Sequence, residues 1–585
     1  VTAIGIRFQQ SALALLVPLM AVIFWSRVGD PVNVPRSTFA AVVAILVVVL
    51  GAIRTAATRR LVLPAAPVAW AAAAMGAALV VATVTSDVPG ASVAGTLGRS
   101  DGLILYGTCV ALFLVGLRVL DAPSVRLLAW GLLAGGAFAV LYGVLQQLDL
   151  DPINWADVGI SPVIGTFGNP DFESGYLGIV VPAAGWGAIS RAWGVPWRAA
   201  SGCLVVACFA VAELSRSHQG LLAGGAGLFV LLVAYLHERG GEGAKTALLA
   251  LAAMAFVVVG LVLAGLVAGV GPGQRVVSAG SLQARRWYWR AAIDMWRHHP
   301  VSGVGLDRFG AHYRSVRPAA AVDVNNYSDA AHSVPLHLLA TGGVLVALPY
   351  VAVVGFVAWS LLQGLRQRQG EQRLLLGGVG GAWTAYQVQS LVSIDQPGLA
   401  VTHWLLAAAV VASAGPTRHY VRLLPGAVQP RARKGRAAAV ESRPPLVWSP
   451  ATLTACAVVI ALGLIASWCV LKPLRASYEI RGAALSLARG DGNAALDHFD
   501  SGTRLAPYQA EYWLQRGKFL EQVKQPKLAA SSYVQGLRQD PRAWDLLIAA
   551  AALAKAQNDT EAVTRYTRQL ARVDPGGTWR ADVGG

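Results

Sequence analysis

Long apolar runs separated by short polar breaks fill the first four hundred residues, and one more run follows near residue 451. A bilayer core about 30 Å thick is crossed by roughly 20 apolar helical residues. Runs of that order predict thirteen spans, near 11–26, 37–53, 61–84, 103–118, 125–147, 172–190, 199–213, 219–236, 246–270, 334–363, 374–394, 398–415 and 451–471. The apolar run from Ser11 to Trp25 has no convincing small-residue cleavage site before the second span, so it is expected to be a retained first helix. The pattern predicts an all-α, polytopic membrane helix bundle.

Beyond the last span the chain becomes polar and begins to repeat itself. Pro507, Pro541 and Pro575 are 34 residues apart, Ala495, Ala529 and Val563 keep the same step, and the prolines sit in the related phrases RLAPYQAEYW, RQDPRAWDLL and RVDPGGTW. Thirty-four residues is the period of the tetratricopeptide repeat, a helix-turn-helix unit whose boundary proline follows the second helix. Residues 476–585 are therefore expected to form a small soluble helical-repeat domain. Such an array either presents a concave surface to a protein partner or serves as a helical cap on the membrane domain.

Composition sharpens this picture. Of 585 residues, 55% are hydrophobic and 14% are charged, against about 25% charged in ordinary soluble proteins, which excludes one large soluble enzyme. The formal charge of +17 would suggest nucleic acid, but its distribution follows membrane topology, and no nucleic-acid partner is expected. Arg54, Arg59 and Arg60 share one predicted side with Arg118, Arg126, Arg191, Arg198, Arg239, Lys245, Arg366, Arg368 and Arg373. Basic loops of this kind stay cytoplasmic. The segment between Leu148 and Phe172 carries Asp149, Asp151, Asp157 and Asp171 with no Lys or Arg, so it should face outward. Thirteen spans with the N-terminus inside put the C-terminus outside, in a cytoplasmic (inner) membrane. The expected organisation is a membrane domain over 1–415, a basic cytoplasmic linker over 416–450, a last membrane helix over 451–471 and the repeat domain over 476–585. The linker, with Arg418, Arg422, Arg431, Arg433, Lys434, Arg436 and Arg443 against Glu441, reads as a disordered tether or as a strip touching anionic membrane lipids. The five cysteines lie within apolar stretches, which points to buried thiols with no disulfide framework and no zinc site.

The segment 271–331 is too long and polar for a simple connection. It holds Arg275, Arg285, Arg286, Arg290, Arg297, Arg308, Arg314 and Arg317, no lysine and four aspartates, against the basic-inside trend. Guanidinium groups offer paired donors to phosphate oxygens and keep their charge, so a diphosphate ligand fits. Read as a helix, 282–297 also forms an interfacial amphipathic element with Trp287, Trp289 and Trp296 at headgroup depth. His332 follows at the end of this loop, where an imidazole beside arginines can stay neutral and act as a general base, although a lone histidine at a helix end is more often a packing or capping residue. His332 and His337 are five positions apart, too far around a helix to suggest a metal pair.

Several of these segments, taken in order, resemble the O-antigen ligase and polymerase superfamily. They are Gly95-Thr-Leu-Gly-Arg99-Ser-Asp-Gly102, Gly165-Thr-Phe-Gly-Asn169-Pro-Asp-Phe172, Leu214-Ser215-Arg216-Ser-His-Gln-Gly220, Arg285-Arg-Trp-Tyr-Trp289-Arg-Ala-Ala, His299-Pro300-Val-Ser-Gly303-Val-Gly305-Leu-Asp-Arg-Phe309, and His332 with the helix carrying Gly342-Gly343. The resemblance covers roughly 85–415. It implies a metal-independent, GT-C-like membrane glycosyltransferase that needs no cofactor. Such an enzyme uses a polyprenyl-diphosphate-linked glycan donor and a glycan, lipid or protein acceptor. It further implies that Arg285 and Arg216 bind diphosphate and that His332 assists deprotonation of the acceptor hydroxyl. Arg286, Arg290, Arg99, Asn169 and Arg308 are the further candidate substrate ligands. The chain departs from the family pattern with Ser217-His218 after Arg216 and with Asp171 in place of an asparagine. The two adjacent arginines leave open which one meets phosphate. Alternatives are a polyprenyl-glycan flippase and, within the same family, a protein O-oligosaccharyltransferase.

Overall fold

The computed structural model describes residues 2–64, 66–153, 155, 162–247, 249–250, 279–415, 419–425 and 446–583. The described chain is nearly all helical. It begins with α1 (Thr2–Val22), α2 (Asn33–Thr58), a short strand β1 (Arg60–Pro64), α3 (Pro67–Val84) and the one-turn α4 (Pro89–Ala94). Then come α5 (Leu103–Val119), α6 (Ala122–Gln147), α7 (Pro170–Ile189), α8 (Val195–Leu214) and α9 (Gln219–Arg239). The long polar segment carries α10 (Ala279–His298), α11 (Phe309–Val316) and α12 (Ala319–Asp323). The bundle resumes with α13 (Val334–Gln367), α14 (Glu371–Ser390) and α15 (Pro397–Ala414), followed by strand β2 (His419–Leu423) and α16 (Pro450–Ala488). Nine helices among the described residues are long and apolar enough to cross a membrane. Helices also occupy the other expected spans, α5 at 17 residues, apart from 246–270. Nearly all of that span lies outside the described residues, as do Asp157, Arg275 and most of the 416–450 linker.

α15 sits at the centre. Its residues from Pro397 to Val411 are all buried, as expected of a helix that is apolar all round. α7 and α14 are almost as enclosed. Their glycines allow backbones to touch without a side chain between them: a Cβ on Gly227 of α9 would meet the Gly381 carbonyl of α14 at 2.7 Å.

Two expectations change. The span predicted from residue 61 starts instead as β1, which pairs antiparallel with β2 from Arg60 opposite Leu423 to Pro64 opposite His419. Each strand satisfies the other's backbone groups at the polar end of the bundle, so the span shortens to 67–84 and the head of the linker is anchored. The last span, for its part, does not stop at 471. α16 runs on for 39 residues, about 58 Å at 1.5 Å per residue, and its final turns enter the core of the C-terminal domain through Ala476, Ile480 and Ala483.

That domain continues with α17 (Gly492–Leu505), α18 (Ala510–Gln522), α19 (Pro526–Gln539), α20 (Trp544–Ala556), α21 (Thr560–Val573) and α22 (Trp579–Val583). α17, α19 and α21 begin 34 residues apart, and Pro507, Pro541 and Pro575 each lie two residues past the end of one of them. A separate core of Tyr512, Phe519, Tyr533, Leu546, Leu547 and Leu570 holds these helices together.

Candidate functional site

The site begins with a broken helix. α13 leaves helical geometry at Gly343, whose φ is 61° and ψ is −167°, which frees backbone groups on both sides of the break. The turn from Pro300 to Gly305 satisfies them. The N–H groups of Val304 and Gly305 donate to the Ala340 and Thr341 carbonyls at 3.0 Å each, and those of Val344 and Leu345 donate to the Pro300 and Val301 carbonyls at 3.0 and 3.2 Å. Gly303 sits at φ 66° with its Cα against the backbone of Thr341 and Gly342, a conformation and an approach that only glycine meets cheaply. The same turn places Asp307, which accepts from the backbone N–H groups of Thr96 at 2.7 Å and Asp101 at 3.2 Å. Asp307 thereby shapes the 95–102 loop that carries Arg99.

Four separated segments then converge. Arg99 is buried, bonded tightly to Asp101, with Asp329 at 4.0 Å. Desolvation works against its charge, and the carboxylates of Asp101, Asp329 and Asp307 outweigh it, holding the guanidinium above its usual range. On α10, Arg285 turns inward with Tyr288, Ala292 and Met295, and its guanidinium lies 3.9 Å from Asp171 at the start of α7. Asp171 also accepts from Ser217 Oγ at 2.6 Å, so it ties α7, α10 and the 215–218 turn together. Asn169 caps α7 by accepting from the Asp171 N–H at 2.8 Å.

His332 completes the cluster. It holds a left-handed φ of 49°, its ring stacks on Tyr288 with centroids 5.1 Å apart, and its carbonyl accepts from Trp289 Nε1 at 3.4 Å. Burial, then the charges of Arg285 and Arg99, lower its pKa to about 4 against the opposing pull of Asp329 and Asp171. At neutral pH the imidazole is therefore uncharged, with a lone pair able to take a proton. Arg99, Asn169, Asp329 and Asp395 border a cavity of about 280 Å³. Burial raises the Asp307 and Asp395 carboxyls to about 6 each, against bonds and charges that favour ionisation.

Not every predicted ligand joins. Arg285, Arg99, Asn169 and His332 are brought together, and Arg216 stands exposed at left-handed φ 58° on the same rim beside Ser217. Arg286 and Arg290 are exposed on α10. Arg308 lies apart from them: it is 1% exposed and held between Asp87, at 2.8 Å, and Asp540, at 2.6 Å, where it braces the fold. Arg314 and Arg317 likewise turn to the C-terminal domain, and Arg297 pairs with Asp294 at 3.3 Å. The arginine excess of this loop is thus divided between two tasks. Asp101, Asp307, Asp329, Asp395 and Tyr288 carried no predicted role; the adjacent phrases Arg99-Ser-Asp101 and Asp307-Arg308 held the available signal. Among the described residues no His, Cys, Asp and Glu side chains are grouped as a metal site needs, and metal independence rests on the resemblance alone.

Fold and site together define a multi-pass membrane protein with an arginine and histidine cluster at one end of its helix bundle. The model of the O-antigen ligase family matches residues 201–351, from α8 through the broken part of α13. The match takes in Arg216, Arg285, Arg286, Arg290 and His332. It supports the O-antigen ligase superfamily and a membrane glycan-transferring activity of that general kind. No curated protein matches the chain.

Proposed function

We propose that this chain transfers or polymerises glycan from a polyprenyl-diphosphate-linked donor to an acceptor hydroxyl on the outer face of the cytoplasmic membrane. The observation that carries this reading is the convergence of Arg285, Arg99 and a neutral His332, drawn from segments far apart in sequence, within and beside the region matched by the family. The Nε of Arg285 is buried without a hydrogen-bond partner among the described residues, so the protein itself does not use all of this guanidinium's donors. The orientation is supported by the basic residues at the opposite end, where Arg59 meets Thr452 at 2.8 Å and Arg373 meets Glu238 at 2.7 Å.

In the reaction the acceptor oxygen attacks the anomeric carbon as its proton passes to His332. The bond from that carbon to the diphosphate oxygen breaks, and polyprenyl diphosphate leaves with the bonding pair. Arg285, backed by the exposed Arg216, Arg286 and Arg290, stabilises the charge that develops on the leaving group. Single-step displacement inverts the anomeric centre, and no metal or cofactor takes part. Between the adjacent arginines, the inward one, Arg285, faces the reacting atoms. The C-terminal helices are read as tetratricopeptide units that engage the acceptor side. With lipid-linked glycan extracted from the producing membranes, His332→Ala is expected to slow transfer by about 10²–10⁴-fold and Arg285→Ala by about 10²–10³-fold. Wild-type rates in both variants would refute the proposal.

A further inference from the structure

The C-terminal domain is not a free arm. Arg317 donates to Asp574 at 3.1 Å and Thr578 at 3.0 Å, Arg542 to the Ala311 carbonyl at 3.2 Å and Ser315 at 3.0 Å, and Gln509 to the Gly95 carbonyl at 2.7 Å. Between this domain and the loops beneath it lies a second cavity, of about 510 Å³, within the roughly 300–1,000 Å³ range of small-ligand sites. Asp329, three residues before His332 in the chain, borders both this cavity and the one beside Arg99, so the two share a wall there.

We propose that this second cavity binds the hydroxyl-rich end of an acceptor glycan, with the C-terminal domain as one wall of the site. This inference rests on the transfer reaction proposed above and deepens it. The walls offer three rings, Tyr327, Tyr508 and Trp544, and, besides the engaged Asp307 and Asp540, three further carboxylates, Asp329, Glu511 and Asp545. The cations beside them are already engaged: Arg308 by Asp87 and Asp540, Arg542 by the loop, and Arg314 by Asn325 at 3.1 Å and by Trp544, 4.2 Å from its ring centre. What remains is a surface of flat rings and hydrogen-bond acceptors. Sugar rings supply the complement, with apolar C–H faces to lie on aromatic rings and hydroxyls to donate to carboxylates. Arg314 and Arg542 keep their charge on neutral partners, but five carboxylates against three guanidiniums leave the walls net negative, so an anionic ligand would meet like charge.

Two experiments on the full-length chain in native membranes test this. With p-benzoylphenylalanine in place of Tyr327, irradiation is expected to give an adduct that periodate destroys and that carries sugar after protease trimming. A periodate-resistant peptide adduct would overturn the inference. So would no adduct beyond that formed from the same group at Val195, which is 73% exposed at the far end of the bundle. In the second, the Glu511→Gln, Asp545→Asn double variant leaves both buried ion pairs of the docked domain in place. With extracted lipid-linked glycan as donor and size-fractionated envelope glycan as acceptor, its half-saturating acceptor concentration is expected to rise about 10-fold, with donor dependence unchanged. Unchanged acceptor dependence in the double variant sinks this inference alone. Absence of transfer by the wild-type chain sinks the reaction reading and this inference with it.

Discussion

His332 has a backbone held at φ 49° and a ring pinned on Tyr288, and its neutrality comes from burial and from the charges of Arg285 and Arg99. A base must be unprotonated to act, so the sign of the pH dependence follows. With the folded pKa near 4, kcat/KM is expected to be flat from about pH 5 to 8 on the account of this group and to fall tenfold per unit below about pH 4. An unperturbed imidazole, at about 6.5, would already lose activity between pH 6.5 and 5. Replacing Arg285 with Met removes the leading charge that lowers the value, so in the residual activity the inflection should move upward toward 6.5. An inflection that stays put would show that Arg285 does not face the imidazole. The sequence made Arg285 and His332 legible because each stands in a run with family character. Arg99 stood in such a run too, with its buried partner Asp101 only two residues on, but Asp329 reaches it from 230 positions away, which local spacing does not encode. Arg308 looked like its neighbours on α10, and what separates it is Asp540, 232 positions away.

Between elements, the coupling of the Pro300–Gly305 turn to the break in α13 explains why both carry glycine. A helix interrupted at membrane depth must find partners for its freed N–H and C=O groups, each costing several kcal/mol if buried alone, and the turn supplies four bonds. Gly303→Ala would place a methyl group against the Thr341 and Gly342 backbone at a positive φ. Gly98, also at positive φ, has nothing within 4 Å of an added Cβ, so Gly98→Ala carries the backbone strain alone, about 1–2 kcal/mol. Thermal unfolding in detergent is expected to show a larger loss for Gly303→Ala, above about 2 kcal/mol, and equal losses would refute the coupling. Apolar runs made most of the spans legible, because a bilayer imposes length and polarity directly. They missed the pairing of β1 with β2, where five-residue segments more than 350 positions apart in sequence close one end of the bundle. They also missed the continuity of α16 into the C-terminal domain, since an apolarity scan ends where the helix leaves the bilayer but its hydrogen bonding does not.

At the scale of the whole molecule, the 34-residue period meets the membrane domain in register. Asp540 and Asp574 occupy the same place in successive units, each just before the boundary proline, and they receive Arg308 and Arg317 from the two ends of α11. Arg317 and Asp574 are both fully buried, where the desolvation cost makes a complete pair modest in value but a half-pair expensive. Asp574→Ala leaves the Arg317 guanidinium enclosed beside the Asn326 carbonyl with its main counter-charge gone, and should cost about 3–5 kcal/mol of docking. Replacing both partners with apolar residues, Arg317→Met with Asp574→Leu, removes the stranded charge and should recover a large part of that loss. Amide hydrogen exchange reads the difference: α11 and residues 574–583 should exchange faster in the single variant than in the double one. If both exchange like the wild type, the domain is held by its other contacts and the register carries no energy. If the double variant is the worse of the two, the pair itself is the clamp, and its net attraction exceeds the desolvation it was built against.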